Sequence, residues 1–115
     1  MNEDTDTKKV LPEKWCLFQA GEDLVKVMAS WTGNYLHGAN WKTNSGIESV
    51  KETEDSWLIT GYSGSVYECK KDAYGIHWYA KGVLKRGQLE PIQQEDAITY
   101  LKIHFNSSDA FRSIG

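Results

Sequence analysis

The stretch "GIESVKETEDSWLITGY", Gly46 to Tyr62, narrows the fold more than any other part of the chain. It holds two short runs on either side of Glu54 and Asp55. Successive side chains of an extended strand point to opposite faces, so alternating runs bury one face and leave the other wet. A turn at Glu54-Asp55 sets Val50 opposite Ile59 and Glu52 opposite Trp57. Val50, Trp57 and Ile59 then share one face, as a half-buried antiparallel pair requires.

The flanking segments extend the theme. "KWCLFQ" is a short apolar run of Trp15, Cys16, Leu17 and Phe18, and Ala20-Gly21-Glu22-Asp23 reads as a turn. In "LVKVMASW" a helix over Glu22 to Ser30 competes with a strand. Val25, Val27 and Trp31, with the Thr-Gly-Asn stop, favour the strand. "SVYECKK" runs into Asp72-Ala73-Tyr74-Gly75, a turn with glycine where positive φ is needed. "IHWYAKGVLKR" reads as a further strand, with Ile76, Trp78 and Ala80 on one side and His77, Tyr79, Lys81 and Val83 on the other. Trp57 and Trp78 are expected in the core. After the break at Gly87 to Pro91, Ala97, Ile98, Leu101 and Phe105 form a helical stripe. Glu95 and Asp96 stand in its first turn, where the helix dipole favours them. Leu101, Ile103 and Phe105 also alternate, which keeps a strand open there.

These readings predict a mainly β (α+β) fold: a curled antiparallel meander or small barrel-like sheet with one C-terminal helix. Residues 1–13 lack an apolar period and are expected as a disordered N-terminal arm. Residues 14–115 are expected as a single β-rich domain. A chain of 115 residues with 40% apolar content suffices for one modest core. Five tryptophans and six tyrosines mean that large rings fill much of it.

Charge and motifs exclude several chemistries. A net charge of −3 is not the footprint of a nucleic-acid binder, and Lys81, Lys85 and Arg86 read as a solvated face. Cys16 and Cys69 form no CxxC pair and read as two reduced thiols, with their pairing left open. His37, His77 and His104 are scattered, so no metal site and no cofactor is expected. The N-terminus is no signal peptide and no run of about 18 apolar residues occurs. A cytoplasmic protein without a membrane partner is the expectation.

"TGYSGSVYEC", Thr60 to Cys69, begins like a nucleophile elbow. Ser65 stands where the second glycine belongs, and Val66 and Tyr67 continue β-structure where a helix should start. Gly61 and Gly64 then serve a bend between strands. The loop "TGNYLHGANWKTNSG" beside it is glycine-rich and polar, with Asn40 and Ser45 among its amide and hydroxyl groups. If a ligand binds, the candidates are Asn34, Tyr35, His37, Trp41 and Lys42 from this loop, with Tyr62, Ser63 and Tyr67 from the bend. Exposed Tyr or Trp in a cluster would instead mark a protein interface.

Residues 38 to 69 carry Ile47, Val50, Trp57, Thr60, Ser63, Gly64, Ser65 and Tyr67 in the order "I-x-x-V", "w-x-v-x-T", "S-G-S-x-Y-x-L". Cys69 stands at the last position, where leucine is usual. This resembles a hairpin pattern of small bacterial and phage proteins. The resemblance implies a β-rich fold and a bacterial or phage setting, and it assigns no catalytic or binding residue.

The function expected is that of a small non-enzymatic binding protein of phage or mobile-element type. Its partner would be a host protein, with a defence nuclease as one target. A nucleotide-binding sponge for a small anionic ligand and a hydrolase using Ser63 are the alternatives. Homo-oligomers fit the binding readings, whereas direct nucleic-acid binding does not.

Overall fold

Seven strands form two sheets and not one closed barrel in the computed structural model, which describes residues 9–35 and 39–103, with backbone alone at 33–35 and 39–40. The strands are β1 (Lys9–Val10), β2 (Lys14–Gly21), β3 (Leu24–Tyr35), β4 (Ala39–Thr43), β5 (Ser49–Glu52), β6 (Ser56–Thr60) and β7 (Val66–Lys70). A 3-10 turn, Lys71–Ala73, leads to helices α1 (Trp78–Arg86) and α2 (Gln94–Leu101). One sheet is the meander β2-β3-β4 and the other the meander β5-β6-β7, with β1 added parallel to β7. The result is an α+β, mainly β fold with a helix towards the C-terminus, as the sequence leads one to expect.

The β5–β6 register is the predicted one: Val50 pairs with Ile59 and Glu52 with Trp57. Val50, Trp57 and Ile59 are buried together in the main core. The β2–β3 turn also falls where Gly21 and its neighbours place it, with a bulge between Gln19 and Gly21.

The sheet β2-β3-β4 is covered on both faces. Trp15, Leu17, Val25, Val27, Ala29 and Trp31 join the main core with the other sheet and with Ala97 and Leu101 of α2. Cys16, Phe18 and Met28 point the other way and meet Ala80 and Leu84 of α1. Two covers explain why "WCLF" is apolar without alternation. Both cysteines are free and buried. The layers are tied by the Trp15 indole, which donates to the Lys70 carbonyl at 2.6 Å. The outer edge of β2 is closed by Gly75 N–H on the Trp15 carbonyl and Ile92 N–H on the Leu17 carbonyl, both at 2.7 Å. The Tyr74 hydroxyl accepts from Leu17 N–H at 3.0 Å and donates to the Ile92 carbonyl at 2.6 Å.

Two expectations need correction. The segment "IHWYAKGVLKR" is not a strand, for Trp78–Arg86 is helical. Ala80 and Leu84 stand four apart and are buried against the sheet, and Tyr79 and Val83 repeat that spacing beside them. Residues two apart on a helix lie on different sides, so burying Ala80 turns Trp78 outward. Trp78 is 83% exposed and is no core residue, whereas Trp57 is. The helix ends in a Schellman motif: Leu89 N–H reaches the Leu84 carbonyl at 2.9 Å and Gln88 N–H the Lys85 carbonyl at 2.8 Å. Gln88 takes the left-handed conformation, φ 63°, that this motif demands.

The second correction concerns the start of the folded part. Lys9 and Val10 pair with Val66 and Tyr67, and Val10 is buried. The Leu11 carbonyl accepts the Trp31 indole N–H at 2.9 Å. Order therefore begins before Lys14, while residues 1–8 lie outside the described residues. One apolar residue pairing with a distant strand leaves no periodic signal. Phe105, the last member of the predicted helical stripe, also lies outside.

Candidate functional site

Ser30 of β3 is buried and pairs with Trp41 of β4. Its hydroxyl accepts the His77 N–H at 3.3 Å, which fixes where α1 starts over the sheet. The His77 ring stacks on Tyr79, with centroids 5.5 Å apart and 12° between planes. His77 Nε2 lies 3.5 Å from Glu13 Oε1. That carboxylate accepts the Thr32 N–H at 2.6 Å and the Thr32 hydroxyl at 3.0 Å. The Thr32 amide above all holds the Glu13 carboxyl below the usual carboxylate range, with the Thr32 hydroxyl and the adjacent His77 adding to it.

With His77 and Tyr79 turned to the protein, Trp78 projects away. It meets Tyr79 edge-on at 5.8 Å. Trp41, itself 38% exposed, stands on the neighbouring strand. Between them runs a groove of about 310 Å³ lined by Trp41, Trp78, Tyr79, Gly82, Val83 and Arg86. Covering the Trp78 indole removes enough apolar surface to gain roughly 4 kcal/mol before the costs of association. Lys81, Lys85 and Arg86 lie on the outer side of α1, and no carboxylate stands in its first turn. Among the described residues these cations take part in no ion pair. The site is thus an aromatic groove beside a positive helix face.

Of the predicted site residues, Trp41 belongs to this groove. Lys42 follows it, exposed on β4. Tyr62 and Ser63 sit in the turn between β6 and β7, where Gly61 N–H bonds the Ser65 carbonyl at 2.9 Å and Gly64 N–H the Gly61 carbonyl at 3.0 Å. Gly64 has φ 98°, so its expected mechanical use is observed. The loop does meet this bend, but through other residues. Ser63 N–H donates to Ser45 Oγ at 2.9 Å. The Tyr62 ring covers Gly46, where an added Cβ would come within 2.6 Å of a ring carbon.

Tyr67 must be removed from the candidate set, because it is fully buried in the main core. Burial pushes its hydroxyl pKa up, which leaves it a packing residue. The side chains of Asn34, Tyr35 and Asn40 lie outside the described residues, as does His37. Ser63 and His77 keep different company: Ser63 is with Ser45, and His77 is with Glu13, Ser30 and Tyr79.

Trp78, Tyr79, Gly82, Val83 and Arg86 are the site residues that sequence reading missed. The signal that could have found them is the fourfold spacing of Ala80 with Leu84 and of Lys81 with Lys85, one pair buried and one exposed. Among the described residues no group of three His, Cys, Asp or Glu side chains could hold a metal ion, and no helix is long and apolar enough to cross a membrane. No family model, curated protein or solved structure matches the chain.

Proposed function

We propose that the protein is a non-catalytic binding module that docks a protein partner through the Trp41–Trp78 groove. One observation carries this reading: Trp78, 83% exposed, stands beside Trp41, Tyr79 and Arg86. Trp, Tyr and Arg dominate the energetic centres of protein interfaces, because each covers much area with few rotors to freeze. The setting we attach to it is the bacterial cytoplasm, with a host protein as partner, following the hairpin resemblance. Arg86 lines the groove and Lys81 and Lys85 stand on the adjoining flank of α1, so a partner held there offers negative charge. An inhibitor that fills the basic cleft of a nuclease would have to use another face, such as that around Glu22, Asp23 and Asp96.

The test is comparative capture with Trp78→Ala. The variant should keep the thermal midpoint of the parent and lose the proteins that the parent retains. Retention of the same proteins by both would remove the groove from the function.

A further inference from the structure

Gly82 sits in the middle of α1, where glycine costs roughly 1 kcal/mol relative to alanine. Nothing among the described residues requires it. Its φ is not positive, and, the helix's own backbone aside, the described atom nearest a Cβ there is Arg86 Nη1, at an ordinary 3.8 Å. Gly46, by contrast, is held bare by the ring above it. Gly82 lines the groove one helical turn from both Trp78 and Arg86. A helix that gives up stability for a bare, outward patch keeps it for something that approaches closely from outside.

Charge indicates what approaches. Arg86 lines the groove beside this patch, and Lys81 and Lys85 stand on the adjoining flank of α1, all three without ion-pair partners among the described residues. We infer that the groove holds an acidic polypeptide segment whose main chain crosses α1 at Gly82. One apolar side chain lies between Trp41 and Trp78, and carboxylates meet Arg86, Lys81 and Lys85. The inference rests on the docking role proposed above and adds the chemistry of the partner and the point of closest approach. A polypeptide fits better than a nucleic acid. The chain carries a net charge of −3, and the cations in and beside the groove, Arg86 with Lys81 and Lys85, come from one short helix. A phosphate backbone draws its affinity from many such contacts.

The experiment pans a random dodecapeptide library against the full chain and measures each selected peptide by fluorescence anisotropy. Acidic peptides should be selected. Gly82→Ala should weaken their binding about tenfold, because an added methyl must be accommodated at a close contact. The same substitution should raise the thermal midpoint, so lost binding cannot be ascribed to unfolding. Joint Lys81→Gln and Lys85→Gln replacement should lower affinity and flatten its salt dependence. Neutral or basic winners, an empty selection, or full binding by Gly82→Ala would each overturn the inference. If such winners still need Trp78, the docking role survives and only the acidic partner falls. Winners indifferent to Trp78→Ala would sink the docking role itself. Trp78-dependent binding of oligothymidine in place of peptides would give the groove to nucleic acid.

Discussion

Asn44 Oδ1 accepts the Val27 amide at 2.9 Å, and Asn44 N–H returns a bond to the Val27 carbonyl at 3.1 Å. A side chain and its own backbone thus pair with one residue of the central strand. The Asn44 amide also donates to the Gly46 carbonyl at 2.7 Å. This knot stands where the chain leaves one sheet for the other. Asn44→Ala leaves the buried Val27 N–H without its side-chain acceptor. The expected loss is about 2–3 kcal/mol, read as a lower denaturant midpoint with an unchanged slope.

Gln88 is the only non-glycine with positive φ among the described residues. An L side chain in this conformation costs about 1 kcal/mol, which glycine does not incur. Gln88→Gly should therefore stabilise the protein by about that amount in thermal or chemical unfolding. No change would mean that the Gln88 side chain compensates through a contact of its own.

Glu13 links pH to the anchoring of the chain beside α1. Its carboxyl is held below its ordinary value of 4.5, chiefly by the Thr32 amide. A depressed folded value stabilises the fold above the unfolded value, and this contribution is lost as pH falls through the folded one. Glu13→Gln should thus be less stable than the parent at neutral pH, and the gap should close as pH falls below the ordinary carboxylate range. A gap that stayed constant with pH would contradict this assignment.

The tryptophans give an optical check. Trp15, Trp31 and Trp57 are buried, whereas Trp41 and above all Trp78 are exposed. Trp78→Phe should blue-shift the emission and remove most of the iodide-quenchable component. A quenchable fraction that persists would contradict the outward orientation of Trp78 on α1.

Legibility followed local repetition. The β5–β6 register could be read because alternation and turn agree on one pairing, Val50 with Ile59. β1 was silent, since Val10 is held by a strand more than fifty residues away in sequence. The Ile76–Arg86 segment was misread because Ile76, Trp78, Tyr79 and Val83 favour strands, while the sheet face of Cys16, Phe18 and Met28 needed a helical cover. That tertiary demand decided the element and moved Trp78 from core to surface. The candidate site was hidden for the same reason, and only Trp41 of the groove was named in advance.

Cys16, Phe18, Met28, Ala80 and Leu84 form an apolar cluster of their own, apart from the larger core between the sheets. The surface that carries Trp78 is therefore bolted to the smaller of two seats. Amide exchange in α1 should proceed through an opening cheaper than global unfolding, while β3 amides wait for the whole frame to come apart. The protein can yield at the face that carries Trp78 and refit there, with the scaffold beneath it standing.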